Sequence, residues 1–126
     1  MSDNEQQIFN HISNKIKEAY LEATISNQKL SNEQTNYPAV SIILTNNSVM
    51  KEYSTFDRLE NVSNEIFEFE VANSFESGMN DVKTILAIID QEMNQYGYLR
   101  MQLGLVEDKE TNDIRRLAKY EKLITK

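Results

Sequence analysis

The stretch Glu65-Ile66-Phe67-Glu68-Phe69-Glu70-Val71 alternates with period two, so Phe67, Phe69 and Val71 share one face of a strand while Glu68 and Glu70 take the wet side. After it, Met79, Val82, Ile85, Leu86, Ile89 and Met93 recur at three and four. That spacing predicts an amphipathic helix over 77–96, capped by Asn73, Ser74 or Ser77 and closed by Gly97 at the position that favours a left-handed residue. Leu99, Met101, Leu103 and Leu105 then alternate with Arg100, Gln102 and Gly104, which predicts a second one-sided strand followed by the polar turn 107–112. Residues 113–124 satisfy two patterns. Ile114, Leu117, Tyr120 and Ile124 fit a helix, whereas Ile114, Arg116, Ala118 and Tyr120 fit a strand. A short polar loop after a strand favours a hairpin, so a strand is the expectation here.

The N-terminal half is less regular. Ser2 and Glu5 fit a capping box, and Ile8, Ile12 and Ile16, with Phe9 and Tyr20 beside them, predict a first helix reaching about Thr24. Residues 26–36 are nearly all polar and read as a loop. Tyr37-Pro38 opens a strand through Ala39-Val40-Ser41-Ile42-Ile43-Leu44, with Asn46-Asn47 as a stop, because proline at a strand's first residue breaks no ladder bond. Residues 48–62 show no clean period and are expected to be irregular, with room for a short strand near 50–56. The whole reads as one α+β domain spanning 1–126.

Composition narrows the function more than the fold. In 126 residues, 40% hydrophobic and 26% charged, one core of ordinary size is expected, burying about two thirds of the unfolded surface. A net charge of −7 repels phosphate backbones and anionic lipid at long range. The chain has no cysteine, which removes disulfides and thiolate metal sites. Met1-Ser2-Asp3-Asn4-Glu5 lacks the basic-then-apolar plan of a signal peptide, and no apolar run approaches the roughly 18 residues of a membrane span. A protein made and kept in the cytosol is the default expectation.

Few residues invite chemistry. His11 is the only histidine; with no second nitrogen or sulfur ligand it reads as a solvated or interface side chain rather than a metal ligand. Glu65, Glu68 and Glu70 resemble an acid cluster, but alternation in a half-wet strand produces the same pattern without a function. Residues 107–113 lack the glycine of a calcium loop. No catalytic residue, cofactor site or metal site is therefore assigned. What stands out is charge asymmetry. Between Glu60 and Glu92 lie eight acids and one base, Lys83, whereas Lys109 to Lys126 holds six bases and three acids. A solvated surface accounts for such runs. The functional alternative is a head-to-tail contact between copies, acidic strand to basic tail, through Glu65, Glu68 and Glu70 on one side and Arg115, Arg116, Lys119, Tyr120 and Lys122 on the other.

The order of elements, the Tyr37-Pro38 opening, the passage from Phe67–Val71 through Asn73-Ser74 to a long helix, Gly97-Tyr98-Leu99-Arg100, and the closing run from Asp113-Ile114-Arg115-Arg116 to Tyr120-Glu121 together resemble the tail terminator, or tail completion, proteins of long-tailed bacteriophages. The likeness runs over nearly the whole chain, and its closing segment is similar to that family's isoleucine-x-arginine strand ending in an aromatic-glutamate pair. It implies a mixed or antiparallel sheet of about four to five strands, with the N-terminal helix and the long helix packed on one face. It further implies a non-enzymatic structural protein without cofactors: a homo-oligomeric ring, a hexamer, that caps the tail tube, ends its polymerisation and meets the neck or connector proteins. Genomic DNA would only pass through the lumen, with acids of 57–70 as candidate lining, and no membrane is involved. Localisation would be the virion tail and neck after assembly in the host cytoplasm. The Asn-rich 26–36 and unpatterned 48–62 depart from the family's plan. Another head-tail connector, a neck or adaptor ring, and a small cytosolic protein-binding regulatory domain are the alternative readings.

Overall fold

The structure, a computed structural model, describes residues 3–30, 36–49, 62–74, 78–105 and 113–125. In chain order these form α1 (Asp3–Ala19), β1 (Thr24–Ser26), β2 (Ala39–Val49), β3 (Val62–Ser74), α2 (Met79–Gln95), β4 (Leu99–Leu105) and β5 (Asp113–Thr125). The strands make one sheet in the order β1-β2-β3-β5-β4. β1 and β2 are parallel and the remaining neighbours antiparallel. The α+β class is as expected, and the expected mixed or antiparallel sheet of about four to five strands is, among the described residues, a mixed sheet of five.

The core follows from two periodicities meeting. On α1, Ile8, Ile12 and Ile16 stand one above another and are fully buried; on α2, Val82, Ile85, Ile89 and Met93 are buried likewise. Register places Val40 beside Val71, Ile42 beside Phe69 and Leu44 beside Phe67, then Phe69 beside Ala118 and Phe67 beside Tyr120. These side chains and both helices join one continuous cluster, so the helices cover the same face of the sheet. Each fully buried aliphatic or aromatic side chain contributes about 1.5–3 kcal/mol of transfer free energy. Between the helices, His11 Nε2 lies 2.6 Å from Glu92 Oε1 and its ring meets Tyr96 edge-on at 5.2 Å. The lone histidine is an interhelix link.

Several boundaries differ from the sequence expectation, each for a local reason. α1 ends at Ala19 rather than about Thr24, because Thr24-Ile25-Ser26 leaves the helix to pair with Ala39-Val40-Ser41 as an unforeseen edge strand. Asn46-Asn47 do not stop β2. The ladder absorbs an irregularity between Leu44 and Asn46 and continues to Val49, since a bulge accommodates one extra residue without ending the pairing. α2 spans 17 residues, about 25 Å at 1.5 Å each, and starts at Gly78 with no side-chain cap. Asn73 instead ties the turn before it, donating from Nδ2 to Gly78 O and accepting the Ser74 N–H at Oδ1. Ser2, Ser77 and the expected short strand near 50–56 lie outside the described residues.

Gly97 has φ +88°, with Gly97 N–H donating to Asn94 O and Tyr98 N–H to Met93 O, the double bond of a Schellman C-cap. Its position matches the expectation. So does the strand at 113–124, which is β5 and sits between β3 and β4. β4 departs from the expected alternation. A bulge between Arg100 and Gln102 shifts its register, so Leu99, beside Glu121, and Leu103, beside Ala118, fall on opposite faces of the sheet. As an edge strand it leaves Leu99 73%, Met101 52% and Leu103 48% exposed, where a buried apolar face was expected.

Candidate functional site

The face of the sheet away from the helices is not uniformly wet. Ala39, Ser41, Ala72, Glu70, Asp113 and Arg115 occupy it by register, and all six are buried. Residues 28–30 and 36–37 of the connection from β1 to β2, here called the strap, lie against them. Leu30 and Tyr37 pack on Ala39 and Ala72, the Ser41 hydroxyl donates to Gln28 O at 2.8 Å, and the Tyr37 hydroxyl donates to Asp113 Oδ2 at 2.5 Å. Beneath this strap, Arg115 grips Asp113 with two parallel bonds, Nε to Oδ1 at 2.8 Å and Nη2 to Oδ2 at 3.1 Å. Its Nη1 is 3.8 Å from Glu70 Oε2. Asp113 and Arg115 are two residues apart on one strand, which is why both project to the same side.

Burial pushes the Tyr37 hydroxyl up to about 12, with the hydrogen bond and charge of Asp113 acting in the same direction and Arg115 against it. Burial first, then the bond to Asp90, also raises Tyr120. A tyrosine raised above its unfolded value of 10.0 contributes stability that is whole below pH 10 and is lost as pH climbs through the folded value. Urea midpoints of the wild type are therefore expected to hold steady to about pH 10 and fall toward pH 12. Tyr37→Phe should start lower by about 1 kcal/mol and fall less steeply across that window; equal slopes would rule out Tyr37 as a source of the alkaline loss.

The residues proposed from charge asymmetry come together, but within one chain. β3 and β5 are antiparallel neighbours over thirteen residues, with Glu65 beside Lys122 and Glu68 beside Lys119. The acidic strand and basic tail are not separate flanks. Glu68 and Lys119 form a 3.9 Å ion pair, and Glu70 is served by Arg115. Glu65 accepts the Tyr98 hydroxyl at 2.6 Å, while Lys122 donates to Tyr96 O at 2.7 Å and lies over the Tyr98 ring. Tyr120 donates to Asp90 at 2.8 Å. Arg115, Tyr120, Glu65 and Glu70 are buried in the chain itself, so any contact with another copy falls to Arg116, Lys119, Lys122 and Glu68, which keep partial exposure. Glu65, Glu68 and Glu70 are each matched internally and do not make a bare acidic wall. The sequence reading missed Tyr37, Asp113, Ser41 and Asp90 as members of this network. The signal for them was available only as register, since opposite charges recurring along two strands also fit cross-strand pairs.

The second surface feature is a cleft of about 290 Å³ between α2 and β4, lined by Lys83, Leu86, Ala87, Asp90, Arg100 and Leu103. Arg100 Nη1 stands 3.8 Å from Asp90 Oδ1. Among the described residues there is no cluster of three or more metal-ligating side chains, and no helix long and apolar enough to cross a membrane. Compared with protein-family models and with curated proteins, the chain matches none.

Proposed function

We propose that this protein is a non-enzymatic structural component of a phage tail, forming a ring that caps the tail tube, ends its growth and joins it to the neck. The observation that carries the reading is the closing segment. Ile114-Arg115-Arg116 through Tyr120-Glu121 lies within β5, held between β3 and β4, where the resemblance calls for an isoleucine-x-arginine strand ending in an aromatic-glutamate pair. The one-sided placement of both helices supports it, because it leaves Glu68 and Lys119 partly exposed on the other face for neighbouring copies.

The test is imaging of the purified protein with and without tubes polymerised from a tail-tube protein of its phage. Ring-shaped density at one end of the tube, and tubes that stop lengthening once it is added, are expected; tubes that bind nothing and grow unchanged would refute the reading. The charges available to the ring contact define a companion measurement. Arg116→Glu with Lys119→Glu should move the assembled protein toward monomer in sedimentation while its circular dichroism stays unchanged, and added salt should act in the same direction. An unaltered profile would remove this contact. Arg115 is unsuited to that test, being buried against Asp113 and Glu70.

A further inference from the structure

We propose that β4 is a dimerisation edge, pairing antiparallel with β4 of a second copy about a two-fold axis at Leu103. β4 is the terminal strand of the sheet, and three of the four exposed large hydrophobic residues among those described lie on it. Soluble proteins ordinarily blunt such an edge with charge or proline. Here the only charged residue is Arg100, beside the bulge, and the ladder to β5 is regular from Gln102 to Leu105.

The occupant follows from the strand's own sequence. Met101-Gln102-Leu103-Gly104-Leu105 carries the same apolar pattern in both directions. With Leu103 opposite Leu103 of the other copy, Met101 meets Leu105 and Gln102 meets Gly104. Leu103 lies on the helix side by register, and a residue opposed to itself across a two-fold axis shares one face with its copy. Leu103 also lines the cleft beside Leu86 and Ala87, so each copy brings an apolar side chain to the mouth of the other's cleft. Charge agrees with this direction. The two Arg100 positions stand six residues apart along the joined strands, about 20 Å at 3.4 Å per residue, beyond the screening length of about 8 Å at physiological salt. An in-register parallel pairing would set them side by side. An edge of this length buries less than the roughly 800 Å² per partner of a standard interface, so the dimer is expected to be concentration-dependent.

The chain is free of cysteine, which permits a direct test. Opposed residues of an antiparallel pair have Cα atoms about 4.5–5.5 Å apart, within disulfide reach. Leu103→Cys should therefore oxidise rapidly to a covalent dimer, while Leu21→Cys, 85% exposed in the turn between α1 and β1, should link at least tenfold more slowly. In sedimentation, the wild type should pass from monomer to dimer with concentration, and Leu103→Lys should weaken that step at least tenfold with an unchanged circular dichroism spectrum. Equal cross-linking of the two cysteine variants, or a wild type that stays monomeric at millimolar concentration, would overturn the proposal. The cross-link reports on β4 alone, and Leu103→Lys leaves Arg116 and Lys119 in place, so this inference and the ring reading stand or fall separately.

Discussion

Arg115→Met is expected to lower stability by about 3–5 kcal/mol, a large share of the roughly 5–15 kcal/mol that holds a domain folded. The arginine side chain is 3% exposed, and those of Asp113 and Glu70 are 1% and 8% exposed. Removing the guanidinium takes away the cation that Asp113 and Glu70 share at 2.8 and 3.8 Å, and a buried carboxylate that loses its cation costs more than the ion pair gained. Arg115→Lys should fall between, because a lysine retains the charge but not the two-pronged grip on Asp113. Combining Arg115→Leu with Asp113→Asn and Glu70→Gln should recover much of the loss by removing the stranded charges. Urea unfolding followed by circular dichroism measures all three variants. A methionine variant within 1 kcal/mol of wild type would mean that this cluster is open to water.

Phe69→Ala should cost a similar amount, about 3–5 kcal/mol, for a different reason. Phe69 is fully buried, stacks 6.4 Å from Phe67 and meets the Tyr120 ring edge-on at 5.6 Å. Truncation removes the transfer free energy of the ring and leaves a cavity between the sheet and the helices that packed neighbours fill only in part. Phe69→Leu retains part of the volume and should lose less. On the edge strand, Leu99→Ala at 73% exposure is expected to change stability by less than about 0.5 kcal/mol. The contrast in thermal or urea midpoints checks the assignment of faces. If the alanine variants at 69 and 99 lost equal stability, Phe69 would not be part of the core.

The ring reading and the β4 dimer draw on different parts of this molecule. The first rests on the position of β5 and on the partly exposed charges along it. The second needs only an exposed strand whose apolar pattern reads alike in both directions. Neither involves the buried Tyr37–Asp113–Arg115–Glu70 network, which ties Tyr37 of the strap to the sheet.

The elements themselves were written in local pattern. The period-two run ending at Val71, the helical stripe from Val82 to Met93 and Gly97 behind it each answer to forces acting within a few residues, which is why β3, α2 and the C-cap appear where the sequence places them. Strand pairing is not local, and that is where tertiary structure decided. Ile25 gives little sign of being an edge strand until Val40 lies beside it, and the alternation of Leu99 to Leu105 promises one buried face until the bulge at Arg100 divides it. Acids and bases far apart in sequence resembled partners for separate molecules, yet the β3–β5 register sets Glu68 beside Lys119 in one sheet. Composition and order determined an α+β chain; only the closing of long-range ladders, whose register no short segment encodes, determined which charges are neutralised inside and which edge strand keeps its apolar side chains exposed.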